Sequence, residues 1–217
     1  MAAKRSRSAR RPADTPEPAD PAALPRIIGG KLGGRKLTYV LDMRTRPMKE
    51  RVREAVFNLL GPAVAGKHAI DLFAGTGALG FEALSRGAAS AIFVERHFPT
   101  AAVIKKNAEA LGVAGQCSVL PGNTLLWAKR LPELPSIPWV VFCSPPYELY
   151  VSQTAEMLAL LEQLLSQAPP ESLFAVEADE RFDFGLLPNA DQWDVRTYPP
   201  AVVGIFRMGN VGTGHGD

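Results

Sequence analysis

From residue 68 onward, short apolar runs alternate with stretches whose apolar residues recur three and four positions apart. Runs of this kind read as strands buried on both faces, and the helical recurrence reads as amphipathic helix. Strands are predicted at 68–73, 91–94, 117–120, 140–143 and 173–177, with a last pair near Val195 and over 202–208. Helices are predicted at 78–86, 99–111 and 152–167. Another is predicted at 48–60, where Met48, Val52, Ala55, Val56, Leu59 and Leu60 recur between Pro47 and Gly61-Pro62. Strand and helix in regular alternation imply an α/β fold: a mostly parallel, doubly wound sheet of seven strands with helices on both faces.

The first strand runs into Asp71-Leu-Phe-Ala-Gly-Thr-Gly-Ala-Leu-Gly80 and the second ends at Glu95. Glycines at 75 and 77 permit positive φ and keep side chains from between the backbone and a ligand. The helix that follows offers unpaired N–H groups at its start. Strand, glycine turn and helix, with an acid twenty residues past Gly75 to hold ribose hydroxyls, form a site for an adenosine-type cofactor. NAD and S-adenosylmethionine both satisfy it. Asn123 and Thr124 follow the third strand, where a turn would meet the adenine or simply cap a helix.

Composition narrows the setting. A chain of 217 residues, 47% of them hydrophobic, can bury a substantial core. Cys117 and Cys143 lie in apolar runs and are expected to be reduced thiols, since two cysteines make no secreted disulfide framework. His68, His97 and His215 are scattered, so no metal is expected. The sequence contains neither a membrane-length apolar run nor a signal-peptide core, and a cytoplasmic monomer is the simplest expectation. The net charge of +2 is mild, but basic residues gather early. Residues 1–25 read as a basic tail rich in proline and alanine. Arg26, Lys31, Arg35 and Lys36 fall on two predicted short strands joined by a glycine turn. Arg44, Arg46, Lys49, Arg51 and Arg53 continue the series into the helix at 48–60, suggesting a surface for RNA phosphates beside the cofactor loop.

The fourth predicted strand ends in Ser144-Pro145-Pro146-Tyr147. Ligands of open α/β sheets bind beyond the carboxyl ends of the strands, so this turn belongs beside the glycine loop. Prolines cannot donate hydrogen bonds and hold carbonyl groups outward as acceptors, and the adjacent aromatic ring is one on which a base can stack. Ser144 Oγ and the Pro145 carbonyl could then accept from an exocyclic amine and turn its lone pair toward a sulfonium methyl. Hydride transfer has no use for such an element. The four residues are the candidate catalytic group, and the balance moves from dehydrogenase to methyltransferase.

Here the sequence resembles the RsmD family, methyltransferases of a guanine N2 in small-subunit (16S) ribosomal RNA. The resemblance runs from Arg26 to about Met208 through RIIGG with GRKL, TRPMKERVREAVFNLL, DLFAGTGALGFEALSRGA, FVE and the PPY turn. It implies the Rossmann-like class I methyltransferase fold, with a basic hairpin and helix at 26–60 facing RNA, a methyltransferase domain at 61–208 and a tail at 209–217. It further implies S-adenosylmethionine bound by Asp71, Phe73, Ala74, Gly75, Thr76, Gly77 and Glu95, a guanine held by residues 144–147, and ribosomal RNA or the small-subunit particle as partner. Where the family usually has Asp, Thr and a glycine turn, this chain has Ser144, Met48 and Pro199-Pro-Ala201. Exchange of a charged for a neutral acceptor predicts a reaction slower by about tenfold.

Overall fold

A computed structural model of the chain describes residues 24–40 and 48–209. The tail through residue 23, Arg44, Arg46 and the residues from 210 onward lie outside them. The strands are β1 (His68–Asp71), β2 (Ser90–Glu95), β3 (Cys117–Pro121), β4 (Trp139–Cys143), β5 (Leu173–Asp179), β6 (Asp194–Tyr198) and β7 (Ala201–Arg207). They form one sheet in the order β3-β2-β1-β4-β5-β7-β6. The first five are mutually parallel, whereas β7 runs antiparallel to both β5 and β6. The order reverses between β1 and β4, so the connections leaving these strands diverge and open a crevice at their carboxyl ends.

The helices are α1 (Glu50–Leu60), α2 (Ala78–Ser85), α3 (Phe98–Leu111), α4 (Thr124–Ala128), α5 (Glu148–Ser152) and α6 (Thr154–Gln167). Alternating side chains divide the core into two layers: Ala69 of β1 packs with α1, α2 and α3, while Ile70 packs with Met157, Leu160, Leu161 and Leu164 of α6. β1 and β4 are buried throughout; β4 is apolar along its whole length, whereas β1 also buries His68 and Asp71 at its two ends. α4 was not predicted: five residues are too few to show a helical period.

Two expectations are corrected. Residues 26–37 form no two-stranded ribbon; a single bridge joins Arg26 to Lys36 around a 3₁₀ turn at Gly30–Leu32. Across the segment, among the described residues, only Ile27 N to Arg35 O, Gly34 N to Ile27 O and Leu37 N to Pro25 O are paired, and α2 takes other amides. Glu82, fully buried, accepts from the N–H groups of Ile28 at 2.6 Å and Gly29 at 2.8 Å, and Ser85 Oγ accepts from Leu32 N at 2.8 Å. Gly30, at φ +74°, passes so close to α2 that a Cβ there would lie 2.0 Å from the Ser85 carbonyl oxygen. Asn107 of α3 secures Thr38 by accepting from its N–H and hydroxyl and donating to its carbonyl. The segment is a strap, and Ile27 and Leu37 enter the main core beneath it.

Arg53 is the second correction. It lies not on the exposed face of α1 but one turn from Phe57 on the inner face, and is 1% exposed. Its guanidinium donates to the Arg26 carbonyl at 2.5 Å, and burial lowers its pKa despite the nearby Glu82 and Glu50 charges. It is a structural cation and offers no RNA phosphate contact.

Candidate active site

The crevice at the carboxyl ends of β1 and β4 is a cavity of about 580 Å³, bordered by Phe73, Ala74, Gly75 and Thr76 on one side and by Ser144 and Pro146 on another. This is the size class of small-molecule and cofactor sites. Gly77 forms the turn into α2 at φ +76°, and a Cβ there would strike the Phe81 ring at 2.8 Å. Any larger residue would push the loop away from the helix it opens. Asp71 does not reach the cavity wall. Its carboxyl lies 1% exposed under the loop and accepts from Gly80 N at 3.0 Å, bracing α2 from below.

Glu95 lies half-buried at the cavity edge. Oε2 accepts from Gly75 N at 2.8 Å and Oε1 from His97 N at 2.7 Å, so the acid ties the glycine loop to the end of β2. A carboxylate has about four acceptor positions, which leaves capacity for two hydroxyl groups. Asn123 and Thr124 also line the cavity, yet both have structural partners. Asn123 caps α4 by accepting from the amides of Leu125 and Leu126, and the Thr124 hydroxyl donates to the Leu72 carbonyl. Met48, Leu79, Arg96, His97, Leu125 and Gln153 complete much of the wall. Leu79 lies within the glycine-loop motif, and Arg96 and His97 follow β2 directly; Met48 and Gln153 carry no sequence signal of this role.

At the end of β4, Ser144 and Pro146 face the cavity, whereas Pro145 is buried and Tyr147 is absent from its lining. Glu177 of β5, which no sequence motif marks, connects the group. Ser144 Oγ donates to Glu177 Oε2, and the Tyr147 hydroxyl donates to Glu177 Oε1 at 2.7 Å. Burial raises the Glu177 pKa, while the hydrogen bonds from Ser144 and Tyr147 oppose that shift. Arg26, Lys31, Arg35, Lys36 and Arg51 are exposed on the strap and α1. Arg26 pairs with Glu50 at 2.6 Å, Arg35 donates to the Ala110 carbonyl, and Arg51 donates to the Pro199 carbonyl between β6 and β7.

The family model described as Conserved hypothetical protein 95 matches residues 25–199. Ribosomal RNA small subunit methyltransferase D of Haemophilus influenzae is 35% identical over 156 residues, covering 71% of this chain and 79% of that protein. The chain belongs to the RsmD family. The chain matches about half the length of YlbH of Bacillus subtilis, 51%, at 43% identity, and 33% of the length of a methylase of Rickettsia prowazekii. The solved structure of yhhF from Escherichia coli is similar to this RsmD-family chain with TM-score 0.70 and 30% identity, over 86% of this chain and 98% of that one. An RNA methyltransferase from Salinibacter ruber in complex with S-adenosyl-L-homocysteine shares the fold at TM-score 0.56 and 18% identity, over 76% and 95% of the two chains. The RsmD-family chain thus has the Rossmann-like fold of class I S-adenosylmethionine-dependent methyltransferases, and S-adenosylmethionine is the cofactor of that fold. Among the described residues there is no cluster of metal-ligating side chains and no helix long and apolar enough to cross a membrane.

Proposed function

We propose that the chain transfers a methyl group from S-adenosylmethionine to the N2 amine of a guanine in small-subunit (16S) ribosomal RNA. The observation that carries this reading is that Ser144 and Pro146 open onto the same cavity as the glycine loop and Glu95. The name of the Haemophilus influenzae relative supports RNA of the small subunit as substrate. In this reading residues 73–77 take the cofactor, Glu95 accepts from its ribose hydroxyls, and Asn123 with Thr124 borders its base. The cofactor supplies an electrophilic methyl group.

The chain's own part is to hold an amine whose lone pair is delocalised into the base. Ser144 Oγ and the Pro145 carbonyl accept from its N–H groups, fix its orientation and favour the pyramidal geometry of the nitrogen as it attacks. Much of the acceleration comes from this positioning. A guanine inside a helix or an assembled particle must first leave its stack. Lys31, Arg35 and their exposed neighbours attract the phosphate backbone and carry no base recognition.

The test is nucleoside mass spectrometry of unmodified small-subunit particles, and of their free RNA, after incubation with the protein and labelled S-adenosylmethionine. Labelled N2-methylguanosine is the expected product. Labelled N6-methyladenosine would replace the proposed target while keeping the chemistry, and RNA bound without any label would make the chain a non-catalytic RNA-binding protein.

A further inference from the structure

We propose that Glu177 is part of the reaction centre: through the Ser144 hydroxyl it supplies the negative charge and the final proton acceptor for the target amine. The inference rests on Ser144 being the acceptor for that amine. An ionised carboxylate can only accept hydrogen bonds, so the Ser144 and Tyr147 hydroxyls must both donate to it. Ser144 has one proton, and that proton is committed to Glu177. What its oxygen presents to the cavity is therefore lone pairs. A serine without this partner could turn either its proton or its lone pairs toward a ligand; Glu177 fixes the polarity that an N–H group needs, and the charge behind the hydroxyl strengthens it as an acceptor.

Glu177 is otherwise hard to explain. It is 6% exposed in the middle of an apolar strand, and among the described residues no cation forms an ion pair with it. Hydrogen bonds from two hydroxyls offset only part of its desolvation, as the raised pKa records, and Tyr150, the other titratable group near it, adds no positive charge. A small cavity lined by Met48, Phe142, Ser144, Ala175 and Glu177 adjoins the main one. What separates Glu177 from Asp71, likewise buried, is its partner: Glu177 is hydrogen-bonded to Ser144, which lines the main cavity, and so is a candidate for the chemistry there.

In the reaction the amine nitrogen forms its bond to the methyl carbon as the bond between that carbon and sulfur breaks, the electron pair remaining on sulfur. The nitrogen, now positively charged, releases a proton to Ser144 Oγ while the Ser144 proton passes to Glu177. Glu177 ends as a carboxylic acid and returns its proton to water after product leaves. Burial that favours the protonated acid suits it to this final state.

Glu177→Gln keeps the size of the side chain and removes its charge. Methyl transfer to unmodified small-subunit particles at saturating cofactor is expected to fall at least about tenfold, with cofactor affinity unchanged by calorimetry and a cooperative melt showing the variant folded. Adding Ser144→Asp to this variant places a carboxylate directly against the amine and is expected to restore the rate to within about threefold of the parent. In the cofactor-free protein, the carbon-13 titration of the Glu177 carboxyl should move upward in Ser144→Ala and in Tyr147→Phe, because each removes a donor that favours the ionised form. Parent-like transfer by Glu177→Gln, a loss that Ser144→Asp does not rescue, or a Glu177 titration indifferent to both hydroxyls would overturn the proposal. The modified nucleoside identifies the base separately: labelled N6-methyladenosine whose yield still depends on Glu177 would remove the guanine reading and leave this one standing.

Discussion

The Asp71 carboxyl has no contact with water and one hydrogen-bond donor, the Gly80 amide. Burial, helped by the charge of Glu95 and opposed by that amide, pushes its pKa up to about 7. Folding therefore makes the group hold a proton that the unfolded chain has released above pH 4. The stability owed to this group is complete below about pH 4, falls as pH rises toward 7 and is flat above it, by roughly 4 kcal/mol in all at 1.36 kcal/mol per unit. Urea denaturation of the cofactor-free protein across pH 4–8 should show this decline, and Asp71→Asn, which retains an oxygen for the Gly80 amide, should flatten it. An equally steep decline in the variant would assign the slope elsewhere. Asp71 is legible in the sequence as the acid of the glycine loop, yet adjacency in sequence does not say whether a side chain lines a cavity or lies beneath it. Arg53 and Glu177 are harder still. A charged residue reads as exposed until its counterparts are known, and Glu82, Ser144 and Tyr147 come from distant parts of the chain.

The strap of residues 24–37 shows the same difficulty for whole elements. β1, the glycine turn and α2 are legible because each declares itself locally, through an apolar run, paired glycines and a helical period. The strap's form is instead set by polar groups on α2 and α3. Glu82 accepts two strap amides and the Arg86 guanidinium, and Ser85 accepts a third amide; in sequence these two residues look like the polar face of an ordinary helix. Glu82→Gln keeps one oxygen as an acceptor but brings an NH₂ group against strap N–H donors, and it removes a negative charge that favours the Arg53 cation. The expected cost is about 2–4 kcal/mol in urea denaturation, since hydrogen bonds to a charged group and a buried cation's counter-charge are both lost. Hydrogen exchange locates the effect: the amides of Ile28, Gly29 and Leu32 should exchange faster, while those of β1 and β4 change only as much as global stability does. Uniform acceleration would mean that Glu82 supports the core and has no special hold on the strap. Because the strap carries Arg26, Lys31 and Arg35, its attachment also sets where these charges stand relative to the cavity.

At the scale of the molecule, a net charge of +2 is too small for indiscriminate attraction to nucleic acid, so binding depends on how the charge is laid out. The exposed cations of the strap and α1 differ in their local pairing. Arg26 already faces Glu50, while Arg35 uses one nitrogen on a carbonyl and remains exposed. Affinity alone cannot reveal which of them meet phosphates, because a misplaced strap would weaken binding too. The salt dependence can. Each phosphate neutralised contributes about 0.7–0.9 to the slope of log affinity against log salt, so Lys31→Ala combined with Arg35→Ala should reduce that slope by about 1.4–1.8. Arg53→Met provides the contrast. It removes the same formal charge as either surface change, but from a buried site behind the strap, and the slope should stay as in the parent while urea denaturation reports any structural cost. If the buried variant changes the slope as much as the exposed ones, the basic residues act through net charge and the strap is no RNA surface. If only the exposed pair changes it, the strap contacts the phosphate backbone directly, from the end of α2 and α3 remote from the glycine loop, where Leu32 meets Ser85 and Arg35 meets Ala110.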